Sequence, residues 1–157
     1  YIVSEGATGN LATTNSTIKN NLKTWIRSYR MINDTVDILD AKVINFGVEF
    51  TALTAKDANK VGILETVTRL LKENFANVKM EIGEPLYISD IYKIINLIPG
   101  VIDTIDVQVV EKIGGAYSDI DIDLKLLLST DGRVITVPDN VILELKFPTR
   151  DIKGILK

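Results

Sequence analysis

Residues 42–54 read KVINFGVEFTALT, a run in which Ile44, Phe46, Val48, Phe50 and Ala52 alternate with Asn45, Gly47, Glu49 and Thr51. A period of two places successive side chains on opposite faces, so the stretch predicts a long strand with one apolar face. The next segment changes period. Val61, Leu64, Val67, Leu71 and Phe75 line one side of a helix, with Asp57 as its expected cap and Glu65 set to pair with Arg69 across one turn. Val78 to Tyr87 then holds two short extended runs around Gly83-Glu84-Pro85, a hairpin or a bent strand. Ser89 opens a brief helix carrying Ile91, Ile94, Ile95 and Ile98, which Pro99-Gly100 ends. Ile105, Val107 and Val109 alternate with Asp106 and Gln108 as another strand.

Outward from that centre, Ser4 to Asn10 is small, polar and glycine-bearing, the composition of a linker end. Asn15 and its neighbours offer cap oxygens. Ile18, Leu22, Trp25, Ile26 and Tyr29 follow on one stripe of a helix over residues 15–29, and Val36 to Leu39 makes a short extended run. Beyond the flexible Gly114-Gly115, Ile120, Ile122, Leu124, Leu126 and Leu128 alternate with Asp119, Asp121, Asp123 and Lys125, which predicts a long half-buried strand. Thr130-Asp131-Gly132-Arg133 signals a hairpin turn, and Val134 to Val137 and Val141 to Phe147 are expected as strands. The tail from Pro148 has no period of its own.

The order of elements is α+β, with a ferredoxin-like split βαββαβ core preceded by a helix and followed by a β-rich C-terminal segment. The expected division is 1–13 as a linker end, 14–41 as helix and short strand, 42–110 as core, and 117–157 as β-rich segment and tail. The face of the sheet away from the two helices needs a cover, from the first helix, the C-terminal strands or another chain.

The chain has 157 residues, no His and no Cys, which removes imidazole bases, thiolate nucleophiles and Cys/His zinc sites. No phosphate loop and no G-x-S-x-G elbow occurs either, so the expected protein is not an enzyme and carries no cofactor. A formal charge of -3 gives no field that draws nucleic acid, and no apolar run is long enough to span a membrane. The first residue is Tyr1, and the opening has neither the basic start nor the apolar centre of a signal peptide, which reads as a piece cut from something longer.

Asp119, Asp121 and Asp123 are the one row of carboxylates spaced to offer oxygens to Ca²⁺ or Mg²⁺, and the wet face of a strand explains the same row without a metal. Lys19, Lys23, Arg27 and Arg30 form a cationic ridge beside the apolar stripe of the first helix, suited to an acidic partner surface or simply to solvent. Trp25, the single Trp, is an interface anchor or a core residue.

Asn33-Asp34, Asn45-Phe46-Gly47-Val48-Glu49-Phe50, Ile82-Gly83-Glu84-Pro85-Leu86, Ser89-Asp90-Ile91 and Pro99-Gly100-Val101 resemble, in order and spacing, the C-terminal part of baseplate J-like proteins. The ending Val141 to Pro148 followed by Asp151-Ile152-Lys153-Gly154 resembles the C-terminus of the large baseplate wedge protein of contractile-tailed phages. The resemblance implies a structural role without catalytic residues: a homodimer within each wedge, contacts with other wedge proteins, and a place in the virion tail baseplate after assembly in the host cytoplasm. The expected contact residues are Lys23, Trp25, Arg27 and Arg30 on the first helix, with Glu144, Lys146, Asp151 and Lys153 in the C-terminal strand and tail. A regulatory small-molecule-binding module on a ferredoxin-like core is the alternative.

Overall fold

In the computed structural model, which describes residues 1–7, 9–29, 31, 34–77 and 80–157, the strand at Lys42–Thr54 is the axis of the molecule. The elements in chain order are β1 (Ser4–Glu5), β2 (Leu11–Ala12), α1 (Ser16–Arg27), β3 (Lys42–Thr54), α2 (Lys60–Asn77), β4 (Leu86–Tyr87), α3 (Ile88–Asn96), β5 (Val101–Lys112), β6 (Val134–Ile135), β7 (Val141–Glu144), α4 (Pro148–Asp151) and β8 (Ile152–Leu156). The architecture is α+β. On one side β3 pairs antiparallel with β5 along nearly its full length. On the other side it pairs parallel with β7 over Lys42 to Asn45 and with β8 over Val48 to Ala52, so these two short strands follow one another along one edge.

The apolar face of β3 is the core. Ile44, Phe46, Val48, Phe50 and Ala52 are buried against Ile63, Val67 and Leu71 of α2 and Ile88, Ile91 and Ile95 of α3. Of the expected stripe of α2, Val67 and Leu71 are in the core and Leu64 and Phe75 pack against it, with Ile63 added. Val61 is exposed, and the helix begins at Lys60, where Asn59 rather than Asp57 supplies the cap by accepting from Gly62 N–H at 3.2 Å. Arg69 pairs forward with Glu73 at 3.1 Å. In α3 the cap position is Tyr87, without a side-chain bond, and Ser89 lies inside the helix.

The strand β5 departs from its expected phase for a local reason. Its register against β3 slips twice, leaving Ile105 and Ile102 as extra residues between paired neighbours. Each bulge reverses the alternation. Thr104 therefore turns inward, where its hydroxyl donates to Asn96 Oδ1 at 2.5 Å, while Ile102 and Ile105 face solvent.

Among the described residues Gly83-Glu84-Pro85 turns no hairpin between adjacent strands; Val78 and Lys79, the start of the expected first run, lie outside them. Instead β4 pairs with β6, about fifty residues later, and Gly83 N–H donates to Val141 O at 2.7 Å. The expected strand over Asp119 to Leu128 is an extended loop ending in a turn. Ile122 N–H donates to the Glu111 side chain at 2.8 Å rather than to a neighbouring strand, and Asp123 Oδ1 accepts from Lys125 N–H at 2.9 Å, which bends the chain and leaves Leu126 exposed. The turn at Gly132 forms as expected, closed by Ser129 N–H to Val134 O at 2.8 Å. The tail has structure of its own in α4 and β8, because β3 offers a free edge beyond the end of β7.

Residues 1–13, expected as a linker end, contain the hairpin β1–β2, closed by Gly6 N–H to Asn10 O at 2.8 Å. It is tied down by a bridge from Ile2 to Asp40 and by a hydroxyl bond between Ser4 and Thr14 at 2.9 Å.

Candidate functional site

Helix α1 stands apart from the rest of the fold. Asn15 caps it, its Oδ1 accepting from Thr17 N–H at 2.8 Å, yet no residue of the helix is buried and it packs substantially on no other helix or strand among the described residues. It is held by charge. Lys19 Nζ lies 2.5 Å from Asp40 Oδ2 and Lys23 Nζ 3.3 Å from Asp37 Oδ1. The bond from Lys19 holds the Asp40 carboxyl below its usual range, against a smaller opposing effect of burial.

These pairs divide the apolar stripe in two. Leu22 and Ile26 lie half-buried on the side of the two lysines, while Ile18, Trp25 and Tyr29 form an outward edge. Trp25 is 61 % and Tyr29 75 % exposed, their rings 5.0 Å apart. Of the cationic ridge, Lys19 and Lys23 are thus spent on acids of the same chain, and Arg27 is exposed in the last turn. Arg30 lies outside the described residues, as does Asn33. What α1 offers a partner is an aromatic edge with one cation.

The C-terminal candidates separate as well. Asp151 is 1 % exposed and cannot meet a partner. It accepts from Tyr117 O–H and from Phe147 N–H at 3.0 Å, while Arg150 Nε donates to the Tyr117 oxygen at 2.9 Å and its guanidinium stacks 4.8 Å from that ring. Burial, and then the bond to Asp151, push the Tyr117 hydroxyl above its usual range. Glu144 is occupied on both oxygens, accepting from Leu11 N–H at 2.6 Å and from Asn45 Nδ2 at 2.7 Å. Asn45 in turn accepts from Ser118 N–H at 2.7 Å. Together these groups fasten the N-terminal hairpin and the 113–120 loop to the face of β3 that lies away from α2 and α3. They cover it at the Asn45 end, where Gly47 leaves room: a Cβ there would stand 2.7 Å from the Asp151 carbonyl. Lys146 is half-buried beside the Phe147 ring, and Lys153 is exposed on β8.

Asp119, Asp121 and Asp123 are exposed on a loop, and among the described residues no group of three or more acidic side chains is placed to hold a metal ion. Every buried side-chain polar atom among the described residues has a partner. Tyr117 and Asn45 were not singled out in the sequence. The one signal for Asn45 is an amide in the middle of a strand, where a buried polar group must find bonds.

Among the described residues no helix is long and apolar enough to cross a membrane. No protein-family model matches the sequence, and no curated protein matches it.

Proposed function

We propose that this chain is a non-catalytic contact module that self-associates through the outward edge of α1, and that it is the C-terminal region of a baseplate J-like wedge protein in a phage tail. One observation carries the contact reading: α1 is a well-capped amphipathic helix with no buried residue, and Ile18, Trp25 and Tyr29 lie open to solvent. An isolated helix of 12 residues has little stability in water, so an apolar edge of this kind gains most when another surface covers it. The total surface agrees. The chain exposes 9814 Å², about 1,900 Å² more than the roughly 7,900 Å² expected of a compact protein of this mass. A standard interface buries about 800 Å² per partner, so the excess is ample for one contact.

The baseplate assignment rests on the sequence resemblance. It implies a virion protein that meets other wedge proteins and assembles in the host cytoplasm. The finer fold reading belongs with it: β3 and β5 are adjacent and antiparallel, as the first and last strands of a ferredoxin-like unit are, and β7 with β8 takes the parallel place on the other side of β3.

Light scattering across a concentration series tests the module. The expected result is a dimer that Trp25→Ser with Tyr29→Ser weakens by at least about tenfold, as truncated aromatic anchors do, with unchanged circular dichroism. A chain that stays monomeric at every concentration, alone and with companion wedge proteins, overturns it.

A further inference from the structure

On the face of the sheet turned away from α2 and α3, three hydrogen bonds run in series between distant segments. Leu11 N–H, on the N-terminal hairpin, donates to one oxygen of Glu144 at 2.6 Å, the other oxygen accepts from Asn45 Nδ2 at 2.7 Å, and Asn45 Oδ1 accepts from Ser118 N–H at 2.7 Å. Register explains the middle link. Asn45 and Glu144 are direct partners on β3 and β7, so their side chains stand next to each other on one face. The series continues into the tail, because Tyr117, beside Ser118, donates to the buried Asp151 that caps α4.

The amide in the middle has a direction. Its nitrogen only donates and its oxygen only accepts, whereas a carboxylate accepts on both oxygens. Glu144 therefore fixes Asn45 with its nitrogen toward β7 and its oxygen toward Ser118. Leu11 in turn helps to keep the half-buried Glu144 carboxylate in place, and without that donor it is freer to turn toward solvent. Asn45 is 1 % exposed, so its nitrogen would then be left buried without an acceptor, and nothing would hold the amide in the orientation Ser118 needs. Turned over, it would meet Ser118 N–H with a second donor.

We infer that the N-terminal hairpin and the 113–120 loop open as one coupled unit, with the Glu144–Asn45 pair as the coupling element. Lifting Leu11 from Glu144 loosens Ser118, and the converse holds because coupling between two sites is reciprocal. A pull on the hairpin is thereby felt beside the tyrosine that anchors the C-terminal tail. This goes beyond the contact role of α1 and does not rest on it.

Native-state hydrogen exchange of the full chain, followed by NMR at the Leu11 and Ser118 amides, tests the coupling. Glu144→Ala should speed exchange at Leu11, which it touches, and at Ser118, which it does not, each by at least about fivefold, the lower end of ordinary coupling. Ser118→Pro, which removes the last donor of the series, should speed Leu11 by a similar factor. Asn45→Val, which suits a strand, isolates the relay: in that background Glu144→Ala should still speed Leu11 and leave Ser118 as it was. Thr136 N–H, bonded to Leu127 O at 3.0 Å in another part of the fold, reports general loosening and should keep the parent's rate. An unchanged Ser118 in Glu144→Ala, an unchanged Leu11 in Ser118→Pro, a further rise of Ser118 in the Asn45→Val background, or a rise at Thr136 as large as that at Ser118 would each overturn the inference.

Discussion

Asp151 shows how a single side chain can act as a fastener at the junction of distant segments. Its carboxylate caps its own short helix through Phe147 N–H and anchors Tyr117 from a loop more than thirty residues upstream. Tyr117 has no equivalent replacement. In Tyr117→Phe the ring is kept, but one Asp151 oxygen loses its donor while remaining buried, a loss of about 1–3 kcal/mol. Urea titration at neutral pH should show that deficit in the midpoint. The same hydroxyl sets an alkaline response. Because its folded pKa is raised, folding favours the protonated phenol, so its contribution is complete below the ordinary value of 10.0 and is lost as pH rises toward the folded value. The parent should therefore lose stability across that interval more steeply than Tyr117→Phe, as thermal unfolding at stepped pH measures.

At the scale of elements, β8 depends on a glycine. A Cβ at Gly154 would overlap the Phe50 ring and come within 2.8 Å of Leu64 Cδ1, so α2 packs close to β8 only because that side chain is absent. Gly154→Ala should cost about 1–3 kcal/mol or more through overpacking, although it improves the local strand propensity. A midpoint equal to or above the parent's in chemical denaturation would refute this packing account. The element also marks where reading from sequence stopped. Strand β3 was legible to its ends, because alternation over thirteen residues has no rival explanation. The phase of β5 was not: Ile105 looks inward by alternation with Val107 and Val109, and only pairing with β3 reveals the bulge that turns it out. Alternation over Asp119 to Leu128 misled in the opposite way. Ile120, Ile122 and Leu124 do turn toward the core, but no strand lies beside them, so period identifies a half-buried extended segment without identifying a sheet. For the candidate contacts, the ridge on α1 was visible. That Lys19 and Lys23 belong to Asp40 and Asp37 was not, since those acids lie in a segment with no period.

For the whole molecule, the central question is whether residues 42–110 form a unit by themselves, as the order of elements suggests. The pairing argues against it. Within that span β3 has one hydrogen-bonded neighbour, β5, and its other edge is completed by β7 and β8 from the last seventeen residues of the chain. The buried core has the same composition: Val141, Leu143 and Ile152 join Phe46 and Val48 in one cluster, and Ile135 and Val137 close it near α3. Removing the C-terminal segment would uncover these side chains at roughly 1.5–3 kcal/mol for each large aliphatic group, in sum as much as the ~5–15 kcal/mol that holds an ordinary domain together. It would also leave β3 with an open apolar edge, which invites association. A fragment spanning residues 42–112 should therefore show no cooperative urea transition by circular dichroism. Adding residues 113–157 as a separate peptide should restore one, because the parallel partners of β3 are then available. A cooperative transition in the fragment alone would mean that the α2–α3 layer on two strands is sufficient, and the C-terminal strands would then be an addition to the core rather than part of it.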